Sequence, residues 1–549
     1  MGKFGGFQSV KLTRPKRSEF DLSHQKRLST RMGRLTPCFI TECVPGDTFR
    51  ISSEVLLRLA PLLAPIYDSI QLFVHFFFVP NRLLWDEWET FITGGRLGAE
   101  VTTPPVPPYF KIDNATFFDN LGESKLGDYL GVPILSEIDS DPQNWSGHTI
   151  DAMPFLAYSR VFLEYYRDRN FVSDDDLDKF PFSSGDITNA VSGMTHYAWA
   201  LQQRAYMKEY FTSALPFTQR GDEVILPVAG TASVNYLEQS IVKDTSGDPI
   251  LGEGFGAALI PLGGFYRIGI GPGSPEIPAR LENIDEVVLN GVTSTINDFR
   301  TAYALQVWLE RNAVAGSRYT ESIQAHFGVR SPDSRLQRPE YIGGGRIPVK
   351  ISEVVSTAYS EDGDGTVPLA NMAGHGITYG NTNQARYFCV EHGFIIGILS
   401  IMSPPSYHQG LPRMFRRKSF LDYPWPTFAK LGEQEVKAYE LYCSPTNLTE
   451  DENGEEPLFG YQSRYADWKY IASTNHGQFH SSLLFWTLTR HFSSSPTLGW
   501  SFVEFDGSTQ DRIFAVNGGA DNFWCYIHNK VNVRRALPYF GEPNTLGFI

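Results

Sequence analysis

The chain has 549 residues and a mass of 61.7 kDa, which predicts about three or four domains, or one domain with large insertions. Apolar residues at 42% and charged residues at 20% exclude a disordered chain, while 49 Gly and 35 Pro favour a turn-rich β architecture. The net charge is −14 and uneven: residues 1–36 carry nine Lys or Arg against Glu19 and Asp21, so a +7 arm precedes a −21 body. That asymmetry fits a chain that touches nucleic acid at one end, and equally a solvated basic tail.

The longest apolar runs, Leu72–Val79 and Gly393–Met402, fall far short of the ~20 residues that span a bilayer. The N-terminal MGKFGGFQSV lacks a signal-peptide pattern, so the expectation is synthesis and folding in a cytosol. Cys38, Cys43, Cys389, Cys443 and Cys525 give neither a disulfide framework nor a CxxC metal site, and are expected to be free thiols.

In chain order, the Gly-rich arm gives way to order near Phe20-Asp21-Leu22-Ser23-His24. Strands are predicted at Phe49–Leu59 and Ile70–Val79, with a turn marked by Ala60-Pro61 and Ala64-Pro65. The second strand reads as buried on both faces, with His75 a core histidine. Pro104–Pro108 reads as an extended connector. Helices are predicted at Pro154–Asp168, Tyr197–Phe211 and Asn297–Ala315, their aromatic stripes facing a core; in the third, Leu305, Trp308 and Leu309 share a face. Asp174-Asp175-Asp176 with Asp178 reads as a solvated turn. Residues 221–296 are rich in Gly, Ala, Ile, Leu and Pro and read as a large β-rich excursion. Strands return at Ile347–Thr357, Cys389–Met402 and Phe523–Arg535.

No catalytic constellation appears: there is no GxSxG, no HExxH and no GxxxxGK. Asp362-Gly363-Asp364-Gly365 lacks the Glu that closes an EF-hand loop and reads as an acidic turn. His476 and His480, at i and i+4, lack a third ligand nearby in sequence. The triplets at Asn114, Asn144 and Asn447 read as chance matches to a glycosylation motif. The expectation is a protein that is not an enzyme and needs no cofactor or metal.

Basic groups stand out instead. Arg413-Met414-Phe415-Arg416-Arg417-Lys418 lies in an otherwise acidic body, either bridging acidic neighbours at a subunit interface or facing nucleic acid. Phe523–Arg535 divides by parity into an apolar odd face and an even face of Trp524, Tyr526, His528, Lys530, Asn532 and Arg534. Rings stack on bases and cations meet phosphates, so this even face suits unpaired nucleic acid; an amphipathic surface or interface strand is the plainer reading. The candidate DNA-facing residues are Lys3, Lys11, Arg14, Lys16, Arg17, Lys26 and Arg27 of the arm (which runs on through Arg31 and Arg34), Arg413, Arg416, Arg417 and Lys418, and the even face without Asn532.

Several segments resemble the major capsid proteins of the microviruses, small single-stranded DNA phages, and most closely the gokushovirus branch. They are Phe20–His24 followed by Pro45–Phe49, Phe77–Trp85, Leu215-Pro216, Ser331–Gly345, Trp425-Pro426, Leu431–Gln434, Phe459–Gln462 and Ala536–Gly541. The resemblance covers nearly the whole chain except the segment near 225–296. It implies a mainly β fold: an eight-stranded antiparallel jelly roll with large loop and helical insertions, occupying 37–549 behind the 1–36 arm. It implies a shell of sixty copies with T=1 symmetry enclosing circular DNA in a virion assembled in the bacterial cytoplasm. The 225–296 loop would form a threefold protrusion, with Phe255, Leu259, Ile260, Phe265 and Tyr266 as candidate groups for meeting a host receptor. Expected partners are further copies of the chain, the genome, a small basic DNA-packaging protein, an internal scaffolding protein, a pilot protein and the host receptor. The competing readings are a β-rich carbohydrate-active enzyme, which needs paired carboxylates in a cleft and a secretion route, and a cytosolic single-stranded DNA-binding protein, which leaves the large acidic body unexplained.

Overall fold

The structure is a computed structural model describing residues 17–93, 105–221, 242–243, 258–262, 265–269, 277–278, 280–281, 296–315, 324–325, 332–355, 372–451, 454–515 and 520–539. It divides into two units: Gln219–Arg311, and Met1–Thr218 with Asn312–Ile549.

The larger unit is mainly β. Its first strands are β1 (Ser18–Asp21), β2 (His24–Thr30), β3 (Thr36–Cys43), β4 (Thr48–Leu59) and β5 (Ile70–Pro80), then the short pair β6 (Tyr109–Lys111) and β7 (Thr149–Asp151). The smaller unit holds β8 (Val242–Lys243), β9 (Ala258–Leu262), β10 (Phe265–Gly269), β11 (Ile277–Pro278) and β12 (Arg280–Leu281). There β9, β10 and β11 form one antiparallel sheet and β8 pairs with β12. The chain returns with β13 (Glu340–Val349), β14 (Ile351–Val355), β15 (Met372–Asn381), β16 (Ala385–Phe388) and β17 (Gly393–Met402). It ends with β18 (Ser406–Tyr407), β19 (Glu433–Lys437), β20 (Leu458–Ser463), β21 (Ser473–Thr474) and β22 (Phe523–Arg535).

Two antiparallel sheets carry the architecture. One runs β1-β22-β4-β15-β14, with β2 on the β1 side of β22 and β16 beside β15 on β4. The other runs β13-β5-β17-β3. Because side chains alternate with period two, each strand of the first sheet gives one set of residues to the interior. Phe49, Ile51, Val55 and Leu57 of β4 and Cys525, Ile527, Val531 and Val533 of β22 meet Leu72, Val74, Phe76 and Phe78 of β5 and Ile395 and Leu399 of β17 in one core. Each such side chain fully buried contributes about 1.5–3 kcal/mol. The other face of the second sheet is buried too. Phe77, Val79, Ile396 and Ile398 pack under the helix Met153–Val161 and the π turn Phe162–Tyr166 that continues it. The first sheet therefore keeps its opposite face for solvent, whereas the second is covered on both faces along β17 and the second half of β5.

Several sequence expectations meet the structure closely. The strands Phe49–Leu59, Ile70–Val79 and Phe523–Arg535 and the first and third helices are present. His75 is partly buried, shares a 2.9 Å hydrogen bond with Tyr166 Oη, and has its pKa pushed down to about 4, chiefly by loss of solvation. Burial on both faces holds only for the second half of β5; Gln71, Phe73 and His75 remain partly open.

Others are corrected. Tyr197–Phe211 is not a helix. Its backbone is spent on neighbours: Gln202 O accepts from Leu35 N at 3.0 Å, Arg204 N donates to Gly33 O at 2.8 Å, and Tyr206 N donates to Val503 O at 2.8 Å. Trp199 is anchored against Phe110 and Phe117, so tertiary hydrogen bonds and burial override the helical spacing. The helix Ile296–Ala315 does form, but Phe299, Tyr303, Leu305 and Trp308 are exposed rather than core. The strand placed at Ile347–Thr357 breaks at Lys350 between β13 and β14, and the one placed from Cys389 begins at Gly393. Asp176 is buried, not solvated: it accepts from Thr195 N and His196 N, while Asp174 pairs with Arg167 and Arg169. Asp362–Gly365 and the Pro104 end of the connector lie outside the described residues.

Candidate nucleic-acid interface

The solvent face of the first sheet is set by register. Across the β4–β22 ladder, Trp524 lies opposite Arg58, Tyr526 opposite Leu56, His528 opposite Glu54, Lys530 opposite Ser52 and Asn532 opposite Arg50. Directly paired residues share a face. On β2, Arg27 is opposite Tyr526; on β16, Arg386 is opposite Arg50; on β15, Tyr379 is opposite Leu56. Arg534 and Phe388 both stand opposite Thr48, from β22 and β16 respectively. Burial along β22 alternates without a break through Val533, as its sequence parity predicts.

The face carries Arg27, Arg50, Arg58, Arg386, Lys530 and Arg534 against Glu19, Asp21 and Glu54, an excess of cations on a chain whose net charge is −14. Lys530 pairs with Glu54, and their hydrogen bond holds the carboxyl below its usual range and the ammonium above it. Asp21 is drawn down by hydrogen bonds from Ser23. The five arginines are exposed and make no ion pair among the described residues. Arg27 lies 5.8 Å from the Tyr526 ring, and Arg17 lies 5.8 Å from the Phe388 ring. Guanidinium groups beside open rings, on a strand repeat of about 6.8 Å for every second residue, can follow a phosphate chain while offering platforms for bases.

The candidate residues distribute unevenly. Trp524, Tyr526, His528, Lys530, Arg534, Arg17 and Arg27 come together on or beside this face. Lys26 does not: it stands opposite Ile527, points inward and donates to Pro37 O at 3.1 Å and to Tyr129 O, and burial lowers its pKa. Arg31 and Arg34 approach Asp521 at 3.6 and 2.9 Å. Lys3, Lys11, Arg14 and Lys16 lie outside the described residues, as does Phe255. Leu259 and Ile260 fall in β9, and Phe265 and Tyr266 in β10.

The basic run at 413–418 is neutralised within its own chain. Arg413 lies 3.7 Å from Glu440, Arg417 2.9 Å from Asp467, and Arg416 and Lys418 pair with Glu456 and Glu450. What this region leaves open is apolar: Phe415, Phe420, Leu421, Tyr423, Trp425, Leu431, Trp468 and Ile471 are all exposed. His476 and His480 gain company from distant sequence, since His408 stacks on His491 and meets His480 edge-on. No cluster of three or more His, Cys, Asp or Glu among the described residues is arranged to hold a metal ion.

Sequence reading missed Arg50, Arg58, Tyr379, Arg386 and Phe388. The alternation within Phe49–Leu59 marks Arg50 and Arg58 as outward, but the neighbour strands that make them part of one surface come from residues hundreds of positions away.

The model of the phage capsid protein (F protein) family matches residues 8–545. Capsid protein VP1 of Chlamydia phage 1 is 34% identical, the match covering 98% of this chain and 97% of that protein. Capsid protein VP1 of Bdellovibrio phage phiMH2K is 31% identical with 98% of each covered, and that of Spiroplasma virus 4 is 25% identical over 92% of this chain and 90% of the relative. A family match over nearly the whole length, with relatives above 30% identity end to end, places this chain in the capsid protein family of the microviruses, in the gokushovirus branch.

Proposed function

We propose that the chain is the major structural subunit of an icosahedral shell of sixty copies, and that the solvent face of the β1-β22-β4-β15-β14 sheet lines its interior against single-stranded DNA. The observation that carries this reading is the row of arginines, without an ion pair among the described residues, interleaved with Trp524, Tyr526, Tyr379 and Phe388 on an otherwise acidic chain. Binding would be sequence-tolerant, since charge and ring stacking read backbone and base faces.

The strands β2, β22, β4 and β15 in one sheet, against β3, β17, β5 and β13 in the other, support the jelly-roll reading: eight strands, all antiparallel to their neighbours in the sheet. The exposed aromatic surface around Phe420 and Ile471 supports contact with further copies, because a closed shell demands large interfaces. The smaller unit takes the role of the threefold protrusion and host attachment. A packaging protein, a scaffolding protein, a pilot protein and assembly in the host cytoplasm complete this reading, whose role for the chain is structural rather than catalytic.

The test is assembly with the scaffolding factor supplied, followed by electron microscopy. Wild type should give uniform small shells, and the triple variant Arg50→Gln, Arg58→Gln, Arg386→Gln should give shells with less DNA. Free subunits only from wild type would overturn the shell, and normally filled shells from the variant would overturn the interior face. Replacing Lys11, Arg14, Lys16 and Arg17 with Gln separates the arm's roles: emptied shells support genome contact, failed assembly supports a clamp between subunits, and DNA-filled normal shells reject both.

A further inference from the structure

Two of the five cysteines meet where the two sheets face each other. Cys43 is the last residue of β3, in the second sheet, and Cys389 follows directly on β16, in the first. Backbone hydrogen bonds bring them together. Gly393, at the start of β17, is the ladder partner of Cys43, and its carbonyl accepts from Cys43 Sγ at 3.2 Å. The chain then turns at 44–47, with Asp47 N donating to Val44 O at 3.1 Å. Within that turn Gly46 N donates to Cys389 O, and Cys389 N donates to Asp47 O, both at 2.8 Å. The two thiols share a hydrogen bond, and both are buried in the core between the sheets.

Either cysteine alone fills its place as a small apolar group. Two sulfurs already in contact can do more: they need only close to the ~2.05 Å of a sulfur–sulfur bond. The surroundings set when that bond can form. The hydrogen bond to Cys389, burial, and the charges of Cys389 and Asp47 all push the Cys43 thiol up, so the closed fold keeps it protonated. Exchange needs a thiolate, hence a brief local opening. The turn beside the pair lies at the surface, with Val44 and Pro45 exposed.

We propose that Cys43 and Cys389 form a redox-sensitive staple, reduced in a thiol-rich medium and oxidised to a disulfide in a thiol-poor one, that ties the second sheet to the first. The oxidant is a low-molecular-mass disulfide. One cysteine attacks it as the thiolate, breaks its sulfur–sulfur bond, displaces one thiolate and forms a mixed disulfide. The other cysteine attacks the protein sulfur of that mixed disulfide and displaces the second thiolate. The two cysteine protons pass to the displaced thiolates, so one protein disulfide forms as the oxidant is reduced to two thiols. The link joins positions far apart in the chain, which restricts the unfolded state most. The inference goes beyond the shell reading, and its test needs no shell.

The experiment uses the purified full-length subunit carrying Cys443→Ser, which removes the exposed thiol. The native protein is held with oxidised glutathione or with dithiothreitol, then denatured, alkylated and digested without reduction. Oxidation should give a cross-linked peptide pair containing Cys43 and Cys389, leave Cys38 and Cys525 alkylated, and raise the thermal transition by several degrees. Dithiothreitol should reverse the link and the shift. Cys43→Ala and Cys389→Ala should each abolish the shift, and Cys38→Ala should keep it. Where an alanine variant fails to fold, the peptide map and its reversal in the Cys443→Ser protein decide. Full alkylation of Cys43 and Cys389 after oxidation, a link from either one to Cys38 or Cys525, or a link that leaves the transition unmoved overturns the staple.

Discussion

Trp524 stands directly across the β4–β22 ladder from Arg58, ring and guanidinium on one solvent face. The arrangement recurs along the same ladders, with Arg27 opposite Tyr526, and with Arg534 and Phe388 on the two strands flanking Thr48. Apart from Lys530, which pairs with Glu54, these cations make no ion pair among the described residues, and a folded monomer has no internal use for such a surface.

The first expectation concerns salt. If Arg27, Arg50, Arg58, Arg386 and Arg534 all meet phosphates of one strand, log affinity should fall against log salt with a slope of about −3.5. Each Arg→Gln replacement should make it shallower by about 0.7. Fluorescence anisotropy across a salt series measures both, and a slope near zero refutes the phosphate contacts.

Arg417 should behave in the opposite way. It pairs with Asp467 at 2.9 Å and lies 4.3 Å from the Trp468 ring, and Asp467 also accepts from Gln434 Nε2 at 3.0 Å. Arg417→Gln should cost about 1.5–3 kcal/mol of stability, the range of a hydrogen bond to a charged partner. Its DNA affinity should stay at the wild-type value. Chemical denaturation read beside anisotropy separates the two effects.

Acid should weaken the fold through His75. Its folded pKa is about 4 against an ordinary 6.5, so the unfolded chain binds the proton first. The neutral imidazole costs nothing above pH 6.5, and stability falls as pH drops from 6.5 towards 4, by up to about 3 kcal/mol from this residue. His408, also lowered to about 4, titrates in the same window. His75→Gln should therefore flatten part of the dependence of stability on pH between 6.5 and 4, and an unchanged profile would contradict it.

Ile471 is 97% exposed and Phe420 69%, within the aromatic surface around Trp425 and Trp468. Ile471→Asp with Phe420→Asp should leave the subunit's thermal transition within a degree or two, since neither side chain packs in the core. Sedimentation should show the shell fraction lost. Normal shells would remove this surface from the assembly contacts.

Phe76 tests the core. It is fully buried between the sheets, 6.3 Å from the Phe39 ring. Phe76→Ala should cost about 3–5 kcal/mol, read by chemical denaturation of the unassembled subunit.

What the sequence reveals and conceals follows from range. The parity of Phe523–Arg535 is written in consecutive residues, and the structure repeats it position by position. The helix over Ile296–Ala315 was equally legible, because its spacing is local. Tyr197–Phe211 misleads because its aromatic spacing is satisfied by separate anchors: Trp199 to Phe110, and Gln202 N to the Tyr158 hydroxyl. Lys26 misleads because charge says nothing about facing; only its pairing with Ile527 turns it inward. The basic run at 413–418 reads either as a bridge to acidic neighbours at a subunit interface or as a nucleic-acid surface, because its carboxylate partners in the same chain, Glu440, Glu450, Glu456 and Asp467, lie tens of residues downstream.

The strand that lies between β4 and both N-terminal strands is the last strand of the described chain. Until residues 523–535 leave the ribosome, β2 and β4 have no common partner, and the inward rows of β4 lack half their cover. A chain cut short anywhere before that point keeps two open strand edges, the hazard that favours aggregation over orderly docking. It also lacks the row that begins with Trp524. Emergence of this strand thus acts as a licence to fold: it closes the sheet and completes its basic solvent face in one step.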